Sequence, residues 1–263
     1  MPPMTPTPDQ LLAVCEEAAR AGAEELLAWR GRFQCRQKAP RDLVTDADLA
    51  SERAIREVIR GRFPDHGMLG EEAPTPEDLL RPYCWIIDPL DGTTNYAHGI
   101  PCFAVSIAVA CHGQLRAGVV LDPERRECFA AAVGRGATLN GEPMAVSRVQ
   151  SLEECLAAIS FPAHLVDDSP DLKAFLRAAR RCQAIRRTGS AALNLAYVAS
   201  GRLDAHWAHE IHPWDAAAGI LLIREAGGVA TGADGRPFDV AAADYLAAST
   251  PQLHRALLPL VAA

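Results

Sequence analysis

Cys84-Trp85-Ile86-Ile87-Asp88-Pro89-Leu90-Asp91-Gly92-Thr93-Thr94-Asn95 is the stretch on which the reading of this chain turns. Its first four residues form an apolar run of strand type, and the run stops at two carboxylates, a glycine and two hydroxyls. Carboxylates at a strand end are costly unless paired, solvated or metal-bound. Two of them about 4 Å apart repel by roughly 4 kcal/mol at an effective dielectric near 20. Asp88 and Asp91 stand three apart across a Pro-Leu turn and can face one point beyond the strand. Gly92 lets the backbone approach a ligand closely, Thr93 offers a hydroxyl, and a helix starting here would add amide donors for an anion. The plain alternative is a solvated turn, because Asp-Gly is a common turn dipeptide.

Two further acidic blocks flank it. Gly70-Glu71-Glu72 follows the short apolar strand Met68-Leu69, and Trp214-Asp215 heads an Ala-rich helical run. Taken singly, the glutamates read as a surface turn, Asp215 as an aspartate favoured by the helix dipole, and Asp48 as the third residue of a helix. Taken together, Glu71, Asp88, Asp91 and Asp215 make an oxygen-only set suited to a hard cation such as Mg²⁺. Cations beside amide donors are what in-line attack on a phosphoryl group requires.

At 263 residues the chain can build one large domain or two closely packed halves, here expected as 1–150 and 151–263. Aromatics are only 6% of it against 49% hydrophobic residues, so the core must come from Ala, Val, Leu and Ile. A formal charge of −7 argues against nucleic acid or an anionic membrane as the main partner. The eight cysteines are scattered with no CxxC pair, which predicts reduced core thiols and no zinc knot. Residues 1–10 lack the basic and apolar regions of a signal peptide, and no apolar run approaches ~18 residues, so a cytoplasmic protein is expected.

Capping signals predict a helix from Thr7-Pro8-Asp9-Gln10 to Trp29 and another from Thr45-Asp46-Ala47-Asp48 to Arg60. Phe103 to Cys111, Leu115 to Leu121 and Glu127 to Val133 predict an antiparallel meander, followed by a glycine-punctuated connection from Gly134 to Gly141. Beyond Ser151 the pattern alternates. Strands are expected at Ala157 to Ser160, Gln183 to Arg186, Arg202 to Trp207 and Leu246 to Ser249. Helices are expected at Asp171 to Arg181, Ser190 to Ser200, Trp214 to Ala226 and from Pro251. This order predicts an α+β layered sandwich.

With Trp85-Ile86-Ile87-Asp88-Pro89-Leu90-Asp91-Gly92-Thr93-Thr94-Asn95-Tyr96 and Trp214-Asp215-Ala216-Ala217-Ala218-Gly219, the chain resembles the inositol monophosphatase family of Mg²⁺-dependent, lithium-sensitive phosphatases. Asp42 to Asp48, Gly70-Glu71-Glu72, Gly136 to Gly141 and Arg187-Thr188-Gly189-Ser190-Ala191-Ala192 support the match along nearly the whole chain. The resemblance implies a five-layer αβαβα sandwich, a homodimer, and two to three Mg²⁺ per subunit, with Mn²⁺ as a substitute. It implies that Glu71, Asp88 and the Leu90 carbonyl hold one ion and that Asp88, Asp91 and Asp215 hold a second, a weaker third leaning on Glu71. Thr93 and Asp48, with Glu71, would activate water, and the amides of Gly92 and Thr93 would take the phosphate. Asp91, Gly189, Ser190 and Ala191 would contact the rest of the substrate. Asparagine at Asp91 or Asp215 is expected to stop turnover and spare the fold, on the premise of a solvated site.

The family's substrate-reading glutamate, seven residues before the last ligand, is Ala208 here, with Glu210 two residues on as the replacement. A small phosphorylated polyol such as inositol 1-phosphate is therefore the leading substrate class, read with weak selectivity. The alternatives are histidinol phosphate, fructose bisphosphate, NADP or a 3′-phosphonucleotide, and an added regulatory role on RNA polymerase. A haloacid-dehalogenase mechanism needs a nucleophilic aspartate two residues before its acid/base aspartate, and position 89, two before Asp91, is proline. His206, His209 and His212 invite a zinc reading, but they run from a strand into Pro213. Arg186-Arg187 reads as a solvated or interface pair, or as a partner for a second anionic group.

Overall fold

Thr7 closes a capping box with Gln10, its side chain accepting from the Gln10 amide while Gln10 accepts from the Thr7 amide at 2.8 Å, and this starts α1 (Pro8–Trp29). In the computed structural model, which describes residues 5–163, 165–242 and 244–262, the same device starts α2 (Asp46–Arg62) from Thr45 and Asp48. Residues 1–4, part of the stretch read for a leader, lie outside the described residues.

The first sheet has seven strands in sequential order: β3 (Gly67–Gly70), β4 (Tyr83–Asp91), β5 (Ala104–Cys111), β6 (Gln114–Asp122), β7 (Glu127–Ala132), β8 (Ala137–Leu139) and β9 (Glu142–Met144). Only β3 and β4 run parallel. The second sheet, ordered β11-β10-β12-β14-β13, is built from β10 (Leu156–Ile159), β11 (Ala184–Arg186), β12 (Ala205–Ala208), β13 (Val229–Thr231) and β14 (Tyr245–Ala248). β10 lies parallel to both β11 and β12.

Side-chain alternation assigns the layers. Trp85, Ile87, Val105 and Ile107 face α1 and α2, whereas Cys84, Ile86, Ala104 and Ala108 face α5 (Ala191–Ala199) and α6 (Pro213–Glu225). Ala158, Ala208, Tyr245 and Ala247 meet the same two helices from the second sheet. On its far side Ala157, Ile159, Trp207 and Leu246 pack on α4 (Pro170–Ala178) and α7 (Pro251–Val261). The result is the expected αβαβα sandwich, with strands buried on both faces and a middle helical layer shared by the two sheets.

One element goes unforeseen and three local expectations differ from the structure, for identifiable reasons. A hairpin of β1 (Cys35–Ala39) and β2 (Asp42–Thr45) precedes α2; β1 is exposed along its length, so it shows no apolar alternation. The connection from Gly134 to Gly141 contains β8 and leads into β9, strands too short to leave a period. Arg202 and Leu203 donate their amides to the Tyr197 carbonyl as the C-terminal closure of α5, which delays β12 to Ala205. α4 ends at Ala178, where the amides of Arg181 and Cys182 turn back onto its carbonyl.

Candidate metal centre

β4 runs buried into the middle of the molecule and breaks its pairing with β5 between Asp88 and Asp91. Pro89 has no amide to offer the ladder there; its carbonyl accepts from Ser51 Oγ at 2.9 Å, and the Leu90 amide donates to Asp88 Oδ1 at 3.0 Å. Both carboxylates are thereby turned out of the strand end. Gly92 then takes a left-handed conformation (φ 93°), where a Cβ would stand 2.9 Å from the Cys102 carbonyl, and starts the short helix α3 (Thr93–Ala97). The first amides of any helix lack intrahelical acceptors, so this turn presents donors beside the acids.

The other acids arrive from separate elements. The Glu71 amide donates to the Ile87 carbonyl at 3.1 Å, extending the β3–β4 pairing and placing Glu71 beside Asp88. Asp215 is the third residue of α6 and accepts from the His212 amide at 2.8 Å. Asp91 sits on the N-terminus of α5, accepting from the amides of Ala191 at 3.1 Å and Ala192 at 3.0 Å and from the Ser190 hydroxyl. One carboxylate oxygen from each of Asp88, Asp91 and Asp215 lies within 4.8 Å of the others, the one group among the described residues with metal-holding spacing.

Electrostatics asks for a cation at that point. Burial, then repulsion from Glu71, Asp91 and Asp215, raises the Asp88 carboxyl well above its ordinary range. Burial, then Asp91 and Glu71, does the same to Asp215. Burial pushes Asp91 up to about 6 against the pull of Ser190 and the α5 amides. Oxygen-only donors that repel one another and are withdrawn from water fit a divalent hard cation. Lys38 on β1 supplies positive charge at the edge, reaching Glu71 at 2.7 Å and Glu72 at 2.9 Å. Burial raises Glu72 to about 7, with Lys38 opposing the shift.

Thr93 Oγ1 lies 3.1 Å from Asp48 Oδ1 and 3.1 Å from the Leu90 carbonyl, so the hydroxyl bridges α2 to the end of β4. Asp48 Oδ2 accepts from the Thr45 amide at 2.9 Å and its hydroxyl at 2.5 Å, and burial still pushes the acid up to about 6. The Leu90 carbonyl keeps a second lone pair for another partner.

Other expected residues fall in different places. Gly189 is left-handed (φ 88°), and a Cβ on it would stand 2.8 Å from Asn95 Nδ2. Ser190 and Ala191, expected against substrate, hold the Asp91 carboxylate. Ala208 is buried in β12 opposite Tyr245, and Glu210 is exposed on the next turn (φ 51°) with no hydrogen bond among the described residues. The three histidines share no helical face. His206 is buried in β12, His209 Nδ1 pairs with Asp171 at 2.9 Å, and His212 caps α6. Two contributors had no assigned role from sequence. Lys38 sits in the hairpin that carries no period. Asn95, though inside the quoted motif, ties α3 to the Thr188 carbonyl at 2.9 Å and the Cys102 carbonyl at 2.7 Å, contacts that exist only across the fold.

The model of the inositol monophosphatase family matches residues 7–263. An inositol-1-monophosphatase of Synechocystis is 41% identical over 255 residues, which cover 96% of this chain and 88% of the relative. A protein of Pseudomonas aeruginosa named Nus factor SuhB is 43% identical over 227 residues, 83% of this chain and 84% of its own. Among solved structures, the extragenic suppressor protein suhB of Bartonella henselae superposes with a TM-score of 0.88 at 36% identity, covering 95% of this chain and 97% of the other.

Proposed function

This chain belongs to the inositol monophosphatase family, and from that premise we propose that it is a Mg²⁺-dependent phosphomonoesterase acting on a small phosphorylated polyol such as inositol 1-phosphate. The meeting of Asp88, Asp91 and Asp215 within 4.8 Å, with Glu71 beside them, carries the reading. Glu71, Asp88 and the Leu90 carbonyl would hold one ion and Asp88, Asp91 and Asp215 a second, with a third against Glu71 and Mn²⁺ able to substitute. When bound, Mg²⁺ supplies Lewis acidity, a lowered water pKa and neutralisation of phosphate charge.

The remaining work belongs to the chain. The amides of Gly92 and Thr93 at the start of α3 bind phosphate oxygens, the left-handed turn at Gly92 setting their direction. Thr93 accepts a hydrogen from the attacking water while donating its own to Asp48, which fixes the direction of attack. Asp48, raised to about 6 by burial, takes up the proton through Thr93, and Glu71 assists in activating the water. Thr93→Ala is expected to lower kcat by roughly 10²- to 10⁴-fold, the range for a lost proton-transfer contact, while the Thr45 bonds to Asp48 keep α2 capped. Steady-state phosphate release together with a melting curve measures both.

Where the family has a carboxylate that reads the polyol end of the substrate, this chain has Ala208, buried in β12 and offering that end no polar group. A missing charge-assisted contact costs orientation and leaves phosphate chemistry in place. Phosphate release from myo-inositol 1-phosphate, glycerol 2-phosphate, histidinol phosphate and a 3′-phosphonucleotide, with Mg²⁺ and with or without Li⁺, tests this. Lithium-inhibited release is expected, with kcat/KM for the inositol ester within about tenfold of that for glycerol 2-phosphate. No Mg²⁺-dependent release from any ester overturns the function, and a far larger preference for the inositol ester overturns the reading of Ala208.

A homodimer in the cytoplasm completes the proposal; no helix among the described residues is long and apolar enough to cross a membrane. The 43% identity to a Nus factor SuhB favours a second, additional role on the transcription machinery. Retention of transcription components by an Asp91→Asn bait would support that role, and their absence from wild-type and variant baits alike would remove it.

A further inference from the structure

Leu156 pairs with Ala184 where β10 and β11 run parallel, and the pairing carries on before the ladder begins. The Ala184 amide donates to the Cys155 carbonyl at 3.4 Å and the Gln183 amide to the Leu152 carbonyl at 3.2 Å. Cys155 therefore stands beside Gln183, with Cys182 one residue further back. Strands about 4.8 Å apart that rise ~3.3 Å per residue put such diagonal Cα atoms roughly 6 Å from each other. A disulfide spans Cα separations of about 4.4–6.8 Å. Alternation turns Cys155 to the same side as Ala157 and Ile159, toward α4 and α7, and Cys182 packs against that same cluster. Two free thiols from either side of α4 in the sequence thus meet at the edge of the second sheet.

The two are unequal. Cys155 is fully buried and Cys182 half-buried. Contact with Cys182, and then burial, raises the Cys155 thiol; contact with Cys155 lowers Cys182 against the pull of burial. Thiolates, not thiols, react with oxidants, so the accessible member is equipped to attack and the buried one to resolve.

We propose that Cys182 and Cys155 are a redox-sensitive pair that a peroxide closes to a reversible disulfide, bracing the edge strand β11 against β10. The Cys182 thiolate attacks one peroxide oxygen, the O–O bond breaks, and a sulfenic acid forms with loss of hydroxide. The Cys155 sulfur then attacks the Cys182 sulfur; the S–O bond breaks, the S–S bond forms, and a second hydroxide leaves. The two thiol protons convert the two hydroxides to water, so hydrogen peroxide is reduced as both sulfurs are oxidised. A small dithiol reverses the bond by exchange. No step passes through the acidic cluster, so the pair stands or falls apart from the phosphatase reading.

The test treats the folded full-length chain with hydrogen peroxide and maps it by mass spectrometry after digestion without reductant. One linked Cys155–Cys182 peptide is expected, absent after dithiothreitol. The oxidised chain should melt roughly 5–10 °C above the reduced one, as closing a loop of this span predicts. Cys182→Ser should abolish both the link and the rise, and Cys35→Ser, which removes an exposed thiol, should keep both. A wild-type map without the link, with Cys182 carried to the sulfinic acid beside a free Cys155, or with links spread over other cysteines overturns the proposal. So does a link that forms only in denaturant. A link that leaves the melting temperature unchanged or lower overturns the bracing of β11.

Discussion

Asp215→Asn is expected to lower phosphate release by about three powers of ten at saturating Mg²⁺ while the chain stays folded. A cation's Lewis-acid contribution amounts to several kcal/mol, and each ~1.4 kcal/mol is tenfold in rate. The local cost is small, because the single hydrogen bond to the Asp215 carboxylate among the described residues, from the His212 amide at 2.8 Å, can pass to the asparagine oxygen. Asp91→Asn should be equally inactive but less stable. Its two oxygens accept from Ser190, Ala191 and Ala192, and an asparagine must turn its NH₂ toward one of these donors. A buried donor left without an acceptor costs about 1–3 kcal/mol. The sequence suggested that both substitutions would spare the fold of a solvated site; Asp91 is in fact only 6% exposed while Asp215 is half-buried, so the hydrogen bonds around each carboxylate decide the outcome. Turnover near wild type in either variant would remove that residue from the ligand set.

Magnesium is expected to stabilise the protein more at pH 8 than at pH 5. Asp88 and Asp215 have pKa values raised well above 3.8 in the folded chain, and Asp91 and Asp48 are raised to about 6. A carboxyl with a raised folded value binds its proton more tightly when folded. Its contribution is therefore full below the unfolded pKa and is lost as pH rises through the folded one. Without Mg²⁺ the cluster thus weakens the fold progressively from about pH 4 upward. His206, pushed down to about 4 by burial, works the other way and loses its contribution as the solution is acidified. The difference between wild type and Asp215→Asn isolates the cluster from such groups. At 100 times Kd a ligand adds about 2.7 kcal/mol, which is roughly 5–10 °C in Tm for a chain of this size. Calorimetry with chelator and with Mg²⁺ at both pH values should show that rise at pH 8, a smaller one at pH 5 where protons compete for the oxygens, and little of it in Asp215→Asn. Equal shifts at the two pH values would contradict the acidic cluster as the binding site.

Local chemistry made much of the fold legible. The capping boxes at Thr7 and Thr45 and the apolar run ending at Asp88 are short-range patterns whose physics acts within a few residues. The β1–β2 hairpin escaped because exposed polar strands carry no alternation, and with it went Lys38, the cation nearest the acids. Ser190 was visible as a candidate, but its partner Asp91 is a hundred residues away and no local signal links them.

By itself the sequence determined which residue types stand at strand ends and helix starts, because capping, turn geometry and burial periodicity are decided over a few bonds. Only the tertiary structure decided that Asp88, Asp91 and Asp215 share one point with Glu71 beside Asp88, that Ser190 braces an acid, and that Ala208 pairs with Tyr245. Convergence of distant segments depends on how five layers pack, and packing is a property of the whole chain.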